Sequence, residues 1–217
     1  MINSVNNLIS IQETLEKRIK NFKPSNIIAV SKTFPIENIY PLINYGHQHY
    51  GENKVQEAIE KWTDIKQDFI NIKLHMIGKL QTNKVKHAVQ LFDYIHSLDN
   101  LKLAEKISNE EKKIKKKIKI FIQVNIGSEN QKSGIEIENL KNFYLRCKND
   151  LDLNIVGLMC LPPKNDLSYK YFTEMKKLLS NINEKELSMG MSSDFIEAAE
   201  NGSTFLRIGS KIFGKRV

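Results

Sequence analysis

The 217-residue chain is short of several things, and each shortage removes a class of protein. It has two cysteines, Cys147 and Cys160, with no CxxC spacing, so neither a disulfide scaffold nor a redox pair is expected. Five scattered histidines without cysteine partners argue against a structural zinc site. No apolar run reaches the roughly 18 residues of a membrane span. The opening residues lack the basic start, continuous apolar core and small-residue cleavage site of a signal peptide, which predicts a cytoplasmic protein. There is no Pro/Ser-rich linker, composition break or internal repeat. One domain over 1–217 is expected, with an extra N-terminal helix over 1–22.

Arginine is also scarce. Of 33 basic residues only four are arginine: Arg18, Arg146, Arg207 and Arg216. The net charge of +8 invites a nucleic-acid reading. Arginine, however, is the preferred reader of bases and phosphates, and the excess here is lysine among many Ile and Asn. The one dense run, Lys112 to Lys119, is interrupted by Ile114 and Ile118 and reads as a solvated helix end entering a strand. Neither nucleic acid nor membrane is expected as a partner, and a monomer is expected.

What is present is alternation. Leu8, Ile11, Leu15, Ile19 and Phe22 form one apolar stripe of a lead helix. Strands are predicted over Ile27–Ser31, around His49–Gly51, and over Ile72–Ile77, Tyr94–Leu98, Ile118–Ile126, Leu153–Leu158, Glu186–Met191 and Thr204–Ile208. Helical spacing lies between them: Ile36 to Ile43, Val55 to Phe69, Gln81 to Leu91, a helix capped by Asp99, Ile137 to Cys147, and Phe172 to Ile182. Strict alternation predicts a parallel sheet, and eight units fit an α/β (β/α)8 TIM barrel. An open doubly wound sheet is the competitor, but no GxGxxG follows any strand.

In such a barrel the site gathers at the C-terminal strand ends. Here those positions are Lys32, Glu52 with Asn53, Gly78, Ser97, Asn125, Met159, Ser192, and Arg207 with Gly209 and Ser210. Ser192 or Ser193 is a natural N-cap, and Asp194 with Glu197 resembles a capping box. Serine and glycine at two adjacent strand ends suit a phosphate, or they simply cap two helices. Arg207 sits in an apolar strand, so it needs a partner: a carboxylate such as Glu52, or an acceptor atom of a ligand. Lys32 closes a buried strand. Lost hydration and a neighbouring Arg207 would both favour its neutral, nucleophilic form. A lysine facing a phosphate grip suggests a phosphorylated aldehyde, either pyridoxal phosphate or an aldolase-type sugar phosphate.

The stretches AVSKTFP, YGENKVQE, HMIGKLQTNK, QVNIGSENQKSG, GLMCLP and LSMGMSSDFIEAAENGSTFLRIGSKIFG cover nearly the whole chain in order and spacing. In these the chain resembles the YggS/PROSC family of pyridoxal-phosphate-binding proteins, whose barrel is that of the alanine-racemase-like, fold-type III enzymes. The resemblance implies Lys32 as the Schiff-base lysine and Arg207 facing the pyridine nitrogen. It implies Ser192, Gly209 and Ser210 at the phosphate, and Asn53 and His75 at the mouth. His75 reads equally as a satisfied core histidine, and Cys160 as a small core residue. Leu74, Met76 and Lys54 depart from the family's aromatic pattern and imply altered packing at the rim.

Racemases and decarboxylases on this barrel carry a second β domain. The chain ends seven residues after Ser210, which leaves none of it. The expectation is therefore a protein that holds and hands over pyridoxal phosphate in vitamin B6 homeostasis without significant turnover. Apoenzymes that use the cofactor are the expected recipients. The alternatives are a racemase-like enzyme acting with a partner subunit, and a basic RNA-binding module.

Overall fold

Successive side chains of a strand point to opposite faces, and here both faces are apolar, so the strands must be covered twice. The computed structural model, which describes residues 3–19, 24–129, 133–163 and 168–214, meets this with a closed barrel. Phe22 and Arg216 lie outside the described residues. The strands are β1 (Asn26–Val30), β2 (His49–Glu52), β3 (Lys73–Met76), β4 (Tyr94–Leu98), β5 (Lys119–Val124), β6 (Ile155–Cys160), β7 (Glu186–Ser188) and β8 (Phe205–Ile208). They lie in chain order, all parallel, and β1 closes on β8 with Ile28 opposite Arg207. The predicted TIM barrel is the observed fold.

The helices are α1 (Ser4–Arg18), α2 (Tyr40–Asn44), α3 (Val55–Trp62), α4 (Ile65–Asp68), α5 (Val85–Leu91), α6 (Leu101–Ile114), α7 (Leu140–Leu145), α8 (Ser168–Ile182), α9 (Phe195–Glu200) and α10 (Ser210–Phe213). Outward-facing Ala29, Tyr50, Leu74, Leu158 and Leu206 pack under them in the main core. Ile28, Tyr94, Phe121, Met159 and Phe205 fill the barrel as a second, separate cluster. The extra helix α1 is capped by Asn3, whose side chain accepts from the Asn6 N–H at 3.0 Å. It buries Leu8, Ile11 and Leu15, and Asn7 Nδ2 donates to the Ile212 carbonyl at 2.9 Å. That bond ties α1 to α10, beside the β8–β1 seam.

Several local expectations shift. The cap of α6 is Asn100, extended at φ −161° and accepting from the Leu103 N–H; Asp99 instead accepts from the Asn100 amide. The single helix expected over Val55 to Phe69 is two, α3 and α4, separated at Thr63 and Asp64. The sixth strand starts two residues late, because the Leu153 N–H is still bonded to the Cys147 carbonyl of the preceding helical turn. Met159 therefore lies inside the barrel and not at its exit. β7 is only three residues long; Gly190, at φ +89°, turns the chain out of it. A Cβ at Gly190 would sit 2.5 Å from the Ala198 Cβ, so glycine is required there.

Phe121 is fully buried at the centre of the inner cluster. Phe121→Ala should lower stability by about 3–5 kcal/mol in urea unfolding, since neither face of the barrel can relax into the void.

Candidate functional site at the barrel mouth

The C-terminal strand ends surround a cavity of about 610 Å³. Lys32 enters it just beyond β1, Asn53 beyond β2, Ser192 beyond β7, Arg207 from β8, and Gly209 with Ser210 from the start of α10. Phe34, Ile77 and Leu161 supply apolar wall. Six of the seven residues singled out from sequence thus share one cavity. Two cations line it, and no carboxylate does among the described lining residues.

His75 is not in that lining. It is fully buried inside the barrel, its Nε2 2.9 Å from His49 Nδ1 and its Nδ1 2.9 Å from His96 Nε2. Here it is the satisfied core histidine. Other strand-end candidates also face elsewhere: Ser97 is a residue of β4, and Asn125 bonds the Glu136 carboxylate at 2.8 Å beyond β5. Gly78 lies against the Asn53 backbone, where a Cβ would come within 2.4 Å of the Asn53 carbonyl oxygen.

Glu52 is buried on the outer face of β2 and does not meet Arg207. The reason is the alternation of the strand. Gly51 faces inward, where a Cβ would stand 2.8 Å from Ile28 Cγ2, so Glu52 must face the helices. Its Oε1 accepts from Ser31 Oγ at 2.7 Å, Lys61 Nζ at 3.0 Å and Trp62 Nε1 at 3.0 Å, while Oε2 has no partner among the described residues. Burial pushes this carboxyl above its usual range, against the pull of Lys61.

These bonds clamp the backbone around Lys32, which is itself half-buried. Lys61 Nζ also donates to the Ser31 carbonyl at 3.0 Å and to Glu57 Oε1 at 3.1 Å. The same Glu57 oxygen accepts from the Thr33 N–H at 2.5 Å. Thr33 has φ +68°, a conformation that a β-branched residue adopts only under constraint. Burial pulls the Glu57 carboxyl up, but the Thr33 N–H and Lys61 outweigh it and hold the group ionised below its ordinary range. Lys32 is therefore aimed by a strained turn, and α3 holds that turn.

Arg207 is buried and makes no ion pair among the described residues. Nη1 donates to Ser188 Oγ at 2.6 Å and Nη2 to the Cys160 carbonyl at 2.8 Å. A guanidinium has more donors than these two acceptors use, and it lines the cavity. The Cys160 thiol is fully enclosed and burial pushes it up to about 12, which suits a small core residue.

Beyond β7, next to the strand of Arg207, neither Ser192 nor Ser193 caps α9, and the capping box does not form. The N-cap position is Asp194, whose Oδ1 turns back to accept from the Met191 N–H at 2.6 Å. Among the described residues Ser192 Oγ meets only the Lys211 N–H, at 3.4 Å, so it joins the loop after β7 to α10 and keeps its hydroxyl at the cavity. Sequence reasoning missed Thr33, Glu57, Lys61, Ser188, His49 and His96. Strand alternation could have found part of this set, because His96 lies two residues after inward-facing Tyr94, as Arg207 does after Phe205.

A closed parallel barrel thus delivers a lysine and an arginine to one mouth from adjacent strands. The sequence model for the alanine racemase N-terminal domain matches residues 7–217. The chain is 36% identical to the pyridoxal phosphate homeostasis protein of Pasteurella multocida, over 97% of this chain and 96% of that one. PipY of Synechococcus elongatus PCC7942, solved with PLP bound, superposes with TM-score 0.86 at 30% identity, covering 97% of this chain and all of PipY. The alanine racemase of Clostridium difficile 630 shares the fold, with TM-score 0.75 at 14% identity over 56% of its length. The chain belongs to the alanine racemase N-terminal domain family, within its group of pyridoxal phosphate homeostasis proteins.

Two outcomes follow from the geometry. Glu57→Ala leaves the strained Thr33 N–H without its charged acceptor and should cost about 2 kcal/mol in denaturant unfolding; an unchanged midpoint would show that the turn holds itself. The second concerns pH. Burial lowers both His47 and His49 to about 4, and lowers His75 and His96 too. The unfolded chain protonates these rings as pH falls through about 6.5, so below that it binds more protons than the folded chain. Stability should be full above that value and fall toward pH 5.5, by roughly 1 kcal/mol for each of His47 and His49. A flat profile of unfolding free energy from pH 7.5 to 5.5 would contradict this.

Proposed function

We propose that this chain is a pyridoxal 5'-phosphate-binding protein of vitamin B6 homeostasis, which holds the cofactor as a Schiff base on Lys32 and does not turn substrate over. The observation that carries this is the cavity: two cations from adjacent strands, serine hydroxyls from the exits of β7 and β8, and no carboxylate among the described lining residues. That donor set suits an anionic ligand bearing a carbonyl, and the volume falls in the range of small-molecule sites. Relatives named for pyridoxal phosphate homeostasis, matched over nearly their whole length, support the same reading.

When bound, the cofactor supplies an aldehyde and an electron-withdrawing ring. The chain's own groups answer each part. The turn at Thr33 directs the Lys32 amine toward the carbonyl. The Ser192 and Ser210 hydroxyls and the backbone at Gly209 take the phosphate, and Asn53 stands at the mouth beside Lys32. Arg207, with donors to spare, faces the ring nitrogen. A guanidinium does not surrender its proton, so it leaves that nitrogen unprotonated and weakens the ring as an electron sink. That favours holding the cofactor over racemising an amino acid with it. In this reading the chain works as a cytoplasmic monomer that passes the cofactor to apoenzymes.

Purified protein supplied with pyridoxal phosphate should show a yellow absorption band. Borohydride should fix the label on Lys32 in peptide mass spectra, and Lys32→Ala should lose both. A wild-type protein that gains no such band would refute the binding. Sustained conversion of L-alanine or L-serine to the D-isomer would refute the non-catalytic part and favour the racemase-like alternative.

A further inference from the structure

Arg207 is the inner end of a longer array. Its Nη1 donates to Ser188 Oγ at 2.6 Å, and Ser188 Oγ lies 2.8 Å from His96 Nδ1. His96 Nε2 lies 2.9 Å from His75 Nδ1, and His75 Nε2 lies 2.9 Å from His49 Nδ1. The array crosses the barrel from the cavity wall to His49, half-buried at the N-terminal end of β2. Aromatic faces enclose it: His75 stacks on Tyr94 with centroids 4.2 Å apart, and His96 on Phe121 at 4.3 Å. With their faces covered, the inner rings meet polar groups only at their edges.

Donor and acceptor roles along this array follow from its inner end. Arginine is donor-only, so Ser188 Oγ accepts there and its single hydrogen is left for His96 Nδ1. His96 must then carry its proton on Nε2 and donate to His75 Nδ1, and His75 must do the same toward His49 Nδ1. The opposite order would leave the Ser188 hydrogen without an acceptor and point a row of N–H dipoles at a buried cation. A proton path into the cavity is not what this order provides, because the chain ends on a group that does not release its proton.

We propose that Ser188, His96, His75 and His49 are positioning residues for Arg207: a chain of neutral imidazoles, each in the Nε2–H tautomer and each donating away from the cavity, which steadies and aims a buried guanidinium where a carboxylate would otherwise be needed. A carboxylate beside Arg207 would neutralise it. The imidazole chain leaves its full charge for a ligand while still satisfying the buried donor.

Nitrogen-15 NMR of the ligand-free, full-length chain at pH 7.5 reads the tautomers directly. Nε2–H on His49, His75 and His96 is expected; Nδ1–H on His75 or His96 overturns the proposal. A second arm rests on the binding reading above and compares Ser188→Ala with Ser188→Thr. Removing the hydroxyl should weaken pyridoxal phosphate binding about tenfold and release His96 from its single tautomer, and threonine should restore both. Wild-type affinity together with an unchanged His96 signal in Ser188→Ala also overturns it. If wild-type protein binds no pyridoxal phosphate, the binding reading fails, and the tautomer experiment still decides this one.

Discussion

The structure depends on one seam, the parallel pairing of β1 with β8. The chain's first and last strands meet there with Ile28 opposite Arg207, and the barrel has no open edge. Lys32 and Arg207, far apart in sequence, become neighbours at one mouth through that closure alone. The lead helix α1 and the short α10 cover the same region, joined by the Asn7 amide. The mouth cavity and the fold closure are therefore one piece of structure: loosening the seam would separate the two cations along with the strands.

Around the seam the barrel keeps two kinds of polar group apart. Outside, Glu52, Lys61, Glu57 and Ser31 form a charged clamp that fixes the turn carrying Lys32. Inside, the groups are neutral: a serine and imidazoles beside Arg207, packed among Phe121, Tyr94 and Phe205. The two faces of β2 separate them, with His49 and Gly51 inward and Glu52 outward. The result is a cavity that carries positive charge with no carboxylate among its described lining residues to quench it.

Much of this was legible beforehand. The alternation of β-branched runs with helical stripes predicted eight units, and eight strands close the barrel. Lys32, Asn53, Ser192, Arg207, Gly209 and Ser210 share one cavity because they lie at or just after strand ends on the same side of the barrel, and strand exits are marked by polar residues after apolar ones. His75 was set at the mouth by the family resemblance alone, and its other reading, a satisfied core histidine, is what the structure shows. The Glu52–Arg207 pair was a plausible satisfaction of two buried charges, but it ignored that the faces of a strand alternate. Asp99 and Ser192 or Ser193 failed as caps because neighbouring residues, Asn100 and Asp194, compete for the same N-cap, and only backbone dihedrals choose between them.

The sequence by itself determined the fold class, the position of the mouth and the residue types gathered there, because periodicity and strand-end punctuation are local properties of the chain. Only the tertiary structure decided which partners those residues take. It gave Arg207 a serine and a carbonyl in place of a carboxylate, joined His49, His75 and His96 into one array, and strained Thr33 beside Lys32. Each of these depends on register and inward or outward facing across strands distant in sequence, and that information exists only once the barrel has closed.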